Sequence, residues 1–247
     1  VAENSRLGVR LLFQDLVYNE KNIFLRKILV SNLSGKEREI RLFFHQQFAL
    51  YESYTAHTSY YEPSSKTIIH YRNQRVFVVN AELNGQSFDE FSTGLAGREG
   101  REGTYKDAED GVLSGNPIEH GPVDSVIRLT GKFQSGEDKI AYYWLAVAKT
   151  IPEALALNDY VLDNGPGHLV QTTRDFWRAW VYRQNFNFEG LSSEIINLFN
   201  RSLFIVRAHV DNDGAIIASA DSNVLQSGKD TYCYTWMRDS SYAVLAL

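Results

Sequence analysis

The stretch KIAYYWLAVAKTIPEALALNDYVLDNG, residues 139–165, marks the point at which the chain changes from strand-like to helix-like sequence. Its first part, 139–149, is rich in aromatic and β-branched residues, as strands are. Pro152 then stands near the start of a run of helix formers, and Gly165 with Pro166 ends that run. We therefore expect different classes of structure on the two sides of this stretch.

The residues before this stretch are strand-like. Ile40, Leu42 and Phe44 alternate with other residues at period two, and polar turn sequences such as EPSSK and QSGEDK separate the runs. Long strands joined by short turns, without helices between them, predict an antiparallel β-sandwich over 1–150. Because the first residues already resemble a strand, we expect one or more strands to precede Val1 in the natural protein. The predicted strands cover 22–32, 38–50, 67–83, 125–133 and 139–149.

A long glycine-rich segment, 93–125, interrupts the strand pattern. Its glycines have neither phosphate-loop spacing nor a strand-to-helix context. Its DAEDG piece fails the EF-hand pattern, because Gly111 stands where an oxygen ligand is needed. We expect an ordered Ω-type loop that packs against a neighbouring domain.

The residues after Lys149 have helical spacing. Helices are predicted over 150–165, 166–183 and 191–210, and a final helix is predicted from near Asp239. We interpret 151–190 as linker helices and 191–247 as the beginning of an all-helical domain whose remainder lies outside this sequence. The fold class is thus β + α multidomain.

Composition excludes several classes of function. A net charge of −5 without a Lys/Arg-rich run argues against a nucleic-acid partner. No apolar stretch is long enough to span a bilayer and no signal peptide opens the chain, which predicts a cytoplasmic protein without a membrane partner. Cys233 is the only cysteine, which excludes an internal disulfide and a cysteine zinc cluster, and we interpret it as a small buried residue. We expect neither a metal nor a cofactor.

Aromatic residues are abundant, with 14 Tyr, 14 Phe and 4 Trp in 247 residues. Most are expected to pack in the core and between strands. Flat rings also stack on sugar rings in carbohydrate-binding sites, and composition does not choose between these two uses.

The sequence YCYTWMRD, 232–239, brings aromatic rings next to an arginine and an aspartate. In an extended segment Tyr232, Tyr234, Trp236 and Arg238 point to one side, and Asp239 comes where the chain should become helical. Rings would stack on a sugar, while the guanidinium and carboxylate would bind its hydroxyl groups. Alternatively, Asp239 is a helix N-cap, Arg238 is its surface ion-pair partner, and the rings belong to the core.

The segment 214–247 resembles the start of the catalytic domain in glycoside hydrolase family 15, the glucoamylases and their relatives. That family carries a Tyr-x-Tyr-x-Trp-x-Arg-Asp stretch like YCYTWMRD, and 102–125 and 174–181 also look like family segments. The resemblance implies a β-sandwich, then linker helices, then an (α/α)6 barrel. It also implies an inverting, exo-acting enzyme that releases glucose from the non-reducing ends of α-glucans.

The resemblance implies roles for five residues. Trp236, Arg238 and Asp239 would line the subsite for the non-reducing-end glucose. Tyr232 would lie beside the ring oxygen of that sugar, and Tyr234 would form a wall of the same site. Met237 departs from the Pro or Thr expected between Trp236 and Arg238, which bears on backbone stiffness more than on chemistry.

The resemblance places both catalytic glutamates of the family downstream of this stretch, so we expect no catalytic residue in this chain. We do not assign that role to Glu189 or Glu194. The chain alone is predicted to be inactive, with its sandwich packed on the missing barrel. Two alternatives remain: a trehalase or dextran glucosidase of the same family, and a non-catalytic carbohydrate-binding sandwich whose exposed aromatic rings bind polysaccharide.

Overall fold

A computed structural model describes residues 1–51, 55–97, 100–184, 186–218 and 234–247. The strands in the described residues are β1 (Ala2–Asn4), β2 (Val9–Val17), β3 (Ile23–Asn32), β4 (Arg38–Gln46), β5 (His57–Glu62), β6 (Thr67–Arg72), β7 (Arg75–Leu83), β8 (Gln86–Ser87), β9 (Glu90–Leu95), β10 (Ile118–Gly121), β11 (Val123–Phe133) and β12 (Asp138–Ala148). The helices are α1 (Thr104–Asp107), α2 (Ile151–Asn164), α3 (Pro166–Val181), α4 (Ser193–Ala208) and α5 (Met237–Ala246), and a short 3₁₀ turn (Ala108–Asp110) follows α1.

The strands of the described residues form two antiparallel sheets. The large sheet has the order β1-β2-β3-β12-β7-β6-β5-β10, and β8 pairs with β7. The small sheet has the order β4-β11-β9. All of these strand pairs are antiparallel, which confirms that part of the prediction and is compatible with a β-sandwich.

A hydrophobic core lies between the two sheets. Ile127 and Leu129 of β11 pack with Ala141 and Tyr143 of β12 in one cluster of buried side chains. The ring of Tyr143 stacks on Phe44 of β4, with centroids 5.0 Å apart. Side chains of alternate residues meet here because successive residues of a strand point to opposite faces of its sheet.

The other face of the large sheet is also buried, against α2 and the first part of α3. Trp144 of β12 packs there with Val161 and Leu169. Asn158 of α2 is fully buried, and its Oδ1 accepts hydrogen bonds from Trp144 Nε1 and Asn80 Nδ2, each at 3.0 Å. Strands with both faces buried are mostly apolar, as β12 is from Ile140 to Ala148.

The predicted strand over 67–83 is two strands in the structure. A turn at Asn73 and Gln74 separates β6 from β7, and Arg72 pairs with Arg75 across it. Asn73 has a φ of 47°, a left-handed conformation that asparagine tolerates better than most residues. The polar run 72–75 between two apolar runs is the sequence signal for this turn, but no glycine or proline marks it.

The segment 101–116 is ordered and lies on the small sheet. Asp124 of β11 is fully buried, and its Oδ2 accepts a hydrogen bond from Thr104 N at 2.7 Å and lies 2.8 Å from His45 Nε2. Arg41 and Arg128 both donate to the carbonyl oxygen of Gly111, at 3.1 and 2.9 Å. These contacts anchor the segment at both ends of its helical turns.

The described residues divide into two compact units, Val1–Thr173 and Arg174–Leu247. The division falls within α3. The second unit has its own aromatic contacts: Trp177 lies 4.7 Å from Phe204, and Phe186 lies 4.9 Å from Phe199. The predicted domain limits at 150 and 190 stay predictions.

Candidate functional site

The predicted sugar-binding residues lie in the second unit, around the start of α5. Tyr232 lies outside the described residues. Tyr234 and Trp236 flank Thr235, which forms an isolated antiparallel bridge with Ile217. Tyr234 is 54% exposed and Trp236 is 48% exposed. The extended conformation predicted for this segment is therefore present at 234–236.

A tight turn positions the residues opposite this segment. Asp211 Oδ1 accepts hydrogen bonds from the amides of Asp213 and Ala215, and Gly214 has a φ of 86°. The carboxylate of Asp211 thus accepts hydrogen bonds that a backbone carbonyl would otherwise accept, as aspartate commonly does in turns. The turn reverses the chain so that 216–218 return alongside 209–210, and Ala218 N donates to Tyr234 O at 3.1 Å.

Helix α5 begins earlier than the sequence predicted. Trp236 is its N-cap residue and the first turn closes with Ser240 N donating to Trp236 O at 2.8 Å. Arg238 and Asp239 therefore lie inside the first helical turn. Arg238 does not continue the extended alternation of the rings, and Asp239 is not the N-cap. The sequence predicted that the chain becomes helical near Asp239. In the structure the helix begins two residues earlier, at Met237.

Trp236 and Asp239 line one cleft of about 260 Å³. Its other lining residues come from α4, the segment 216–218 and α5, and the sequence did not single them out: Ile205, Val206, His209, Ile216, Ile217, Ala218, Ser240 and Ala243. Neither Tyr234 nor Arg238 is among the lining residues that the structure describes. The structure thus brings two of the predicted residues together.

The polar groups of the cleft are held by backbone carbonyls. Ser240 Oγ donates to Ile216 O at 3.2 Å, and His209 Nδ1 lies 2.8 Å from Ile205 O. The hydroxyl then presents its lone pairs, and a neutral imidazole that donates through Nδ1 presents Nε2 as an acceptor. Together with the carboxylate of Asp239, these groups suit a ligand that carries several hydroxyl donors. Helical spacing from His209 to Ile205 was the only sequence signal for this arrangement.

Arg238 and Asp239 form an exposed ion pair, with Arg238 Nη2 at 3.5 Å from Asp239 Oδ1. Their side chains are 83% and 54% exposed. Such a surface pair contributes little to stability. Both groups therefore keep most of their hydration and remain accessible to a ligand.

Glu189 and Glu194 are not placed for catalysis. Glu194 lies in the first turn of α4, and a hydrogen bond from the Ser192 side chain lowers the pKa of its carboxyl. A general acid needs the opposite shift. Glu189 is exposed in the turn that precedes α4.

The sandwich shows no row of exposed aromatic side chains in its described residues. Trp144 is fully buried, and the large aromatic side chains that are exposed, Phe13, Tyr51 and Tyr105, lie on separate elements. This arrangement weakens the alternative of a polysaccharide-binding sheet face. In the same described part of the chain, no cluster of three or more His, Cys, Asp or Glu side chains could hold a metal ion. None of the described helices has the length and apolar character to cross a membrane.

Comparison with known proteins shows similarity at the level of structure. No protein-family model matches the sequence, and no curated protein does. Among solved structures, a bacterial glucoamylase complexed with acarbose matches with a TM-score of 0.68 and 15% sequence identity. The match covers 87% of this chain and 31% of that structure. At this identity the likeness shows the fold alone: the chain shares the fold of part of a glucoamylase.

Proposed function

We propose that the chain is part of an inverting, exo-acting α-glucoside hydrolase that releases glucose from the non-reducing ends of α-glucans. The observation that carries this proposal is the cleft at the start of α5, where Trp236 and Asp239 lie together in a fold shared with a glucoamylase. An aromatic ring beside a carboxylate is the combination that binds one face and the hydroxyl groups of a pyranose.

In the proposed enzyme these residues bind glucose and do not transfer protons. Trp236 supplies a ring for stacking, and Asp239 accepts hydrogen bonds from sugar hydroxyl groups. Tyr232, Tyr234 and Arg238 complete the subsite in this proposal. Hydrolysis with inversion requires a carboxylic acid that protonates the leaving oxygen and a carboxylate that activates water. No described residue of this chain has been assigned either role.

The exposed apolar side chains of the second unit support a larger helical domain. Leu198 of α4 and Leu245 of α5 are 64% and 83% exposed, and Leu203 is the only residue of α4 that is buried. A helix of a soluble protein buries its apolar side chains against other elements. We propose that further helices of an (α/α)6 barrel cover these faces. The single cysteine supports a reducing compartment, the cytoplasm, for the whole protein.

Calorimetric titration of the chain with methyl α-D-glucopyranoside tests the proposal. We expect binding in the millimolar range, about −4 kcal/mol, because only part of a subsite is present. Trp236→Ala should abolish it, whereas Tyr242→Ala, an exposed ring on the same helix outside the cleft, should not. Absence of binding to the chain would contradict the proposal. Screening the full-length enzyme for activity on maltose, isomaltose and trehalose would separate the glucoamylase from the trehalase and dextran glucosidase alternatives.

A further inference from the structure

A buried histidine links the two sheets of the sandwich through hydrogen bonds. His70 lies on β6 of the large sheet, and its Nε2 is 2.7 Å from Ser125 Oγ on β11 of the small sheet. Nε2 is also 3.2 Å from Ser59 Oγ on β5. Ser125 Oγ in turn donates to Gln46 Oε1 on β4 at 2.8 Å. These four side chains, His70, Ser59, Ser125 and Gln46, are the inter-sheet cluster.

The hydrogen bonds of the inter-sheet cluster fix the tautomer of its histidine. Because the hydroxyl proton of Ser125 goes to Gln46, the Ser125 oxygen must accept from His70 Nε2. The proton of the neutral imidazole is thus on Nε2. Protonation would add a positive charge that neither the serine hydroxyls nor the glutamine amide can neutralise. A further proton would go to Nδ1 and leave these hydrogen bonds in place, but its charge would be buried between the two sheets, where water reaches it only if the sheets part.

The surroundings of His70 oppose that charge. His70 is buried, and Phe48 packs edge-on against its ring at 5.0 Å. The ionisable groups that face it are His57 on β5, His45 on β4 and Asp124 on β11. The first two repel a positive charge, and Asp124 Oδ2 already accepts from Thr104 N and contacts His45.

On β7, which pairs with β6 on its other side, the residue opposite His70 is Phe77, which does not ionise. Burial outweighs the attraction of Asp124 and lowers the pKa of His70 to about 3. The geometry and the direction of this shift therefore agree: the folded protein keeps His70 neutral.

We propose that the inter-sheet cluster is an acid-sensitive latch, which holds the small sheet on the large sheet while His70 is neutral and releases it when His70 takes up a proton. The imidazole of the unfolded chain has a pKa of about 6.5. Between that pH and about 3 the unfolded chain binds a proton that the folded chain does not. Stability therefore falls as the pH drops below about 6.5, by a factor of ten in the folding equilibrium constant per pH unit.

Urea unfolding of the full chain between pH 7.5 and 5.0 tests the latch. His70→Gln keeps an amide donor but removes the titration, and His168→Gln, at an exposed position on α3, is the matched control. We expect the folding constant of the wild type and of the control to fall about tenfold more between pH 6 and 5 than that of His70→Gln. Burial also lowers the pKa of His57. Because His57 is present in all three proteins, its contribution cancels in this comparison. Equal pH dependence in all three would overturn the proposal.

A measurement on the wild type keeps the test independent of the variant's folding. Hydrogen exchange, corrected for intrinsic rates, reports the opening of each strand. On acidification we expect the amides of β4 and β11 to lose protection before those that pair β3 with β12. NMR of the histidine ring nitrogens should show His70 neutral and protonated on Nε2 at pH 5. Uniform loss of protection, or a His70 that titrates near pH 6.5 in the folded protein, would contradict the latch.

Discussion

Asp239 combines a structural and a ligand-binding position in one residue. It is the third residue of α5, where a negative charge is favoured by the exposed amides of the helix N-terminus. It also lines the cleft with Trp236 and keeps 54% of its side chain exposed. The helix therefore orients the carboxylate without removing it from solvent.

Asp239→Asn should weaken the binding of methyl α-D-glucopyranoside about tenfold, because a hydrogen bond to a charged group becomes a neutral one. Calorimetry measures the change. Asp163→Asn, an exposed position on α2, is the control and should bind like the wild type. Equal affinity of Asp239→Asn and the wild type would remove Asp239 from the site.

Asn158 is the residue that joins α2 to the large sheet. Asn158→Ala would leave Trp144 Nε1 and Asn80 Nδ2 buried without an acceptor, which should lower the free energy of unfolding by about 2–4 kcal/mol. Urea denaturation measures this difference. The control Asn164→Ala, exposed on the same helix, should cost less than about 1 kcal/mol. Similar costs for both variants would show that the buried hydrogen bonds are dispensable.

At the scale of elements, the segment 101–116 depends on close approach of its backbone to the small sheet. Gly103 has a φ of 117°, and a Cβ at this position would overlap Asp124 Oδ2. Gly97 has a φ of 73° but open space around it. Alanine substitutions at the two glycines therefore distinguish the energetic cost of backbone strain from that of steric overlap.

Gly103→Ala should lower the free energy of unfolding by about 3 kcal/mol, and Gly97→Ala by about 1 kcal/mol, since only the first adds overlap to strain. Urea denaturation and hydrogen exchange at Thr104 measure the two effects. If both substitutions cost the same, the packing of this segment on Asp124 would not matter for stability.

Elements with strong local signals could be predicted from the sequence. Thr150 caps α2 through a hydrogen bond from Glu153 N, as the Pro152 pattern indicates. The turn at Asn73 was missed because no glycine or proline marks it, although the polar run from Arg72 to Arg75 interrupts the apolar pattern there. The start of α5 at Met237 was missed because its N-cap residue, Trp236, makes no side-chain capping hydrogen bond.

At the scale of the whole molecule, the tertiary structure explains two features that sequence patterns did not, the apolar run of β12 and the set of residues that line the cleft. The apolar run of β12 is explained by burial on both faces, against β11 and against α2, which a single strand does not reveal. The cleft likewise joins residues of α4 and α5 that are about 30 positions apart in sequence. Trp236 and Asp239 were predictable from their motif, whereas His209 and Ser240 required the fold.

The chain should release no glucose from maltose, isomaltose or trehalose, because among its described residues only one carboxyl group, that of Asp239, lines the cleft. A coupled glucose assay with the purified chain measures this directly. Glucose release above that of a boiled sample would show that catalytic groups lie within these 247 residues.

The central claim is that the start of α5 forms part of a glucose subsite. The most direct test is an NMR titration with methyl α-D-glucopyranoside that follows the indole N–H signals of the chain's 4 tryptophans. The account predicts a saturable shift of the Trp236 signal, with little change at the buried Trp144 and weakened binding in Asp239→Asn. A Trp236 signal that stays unchanged at saturating sugar would contradict it.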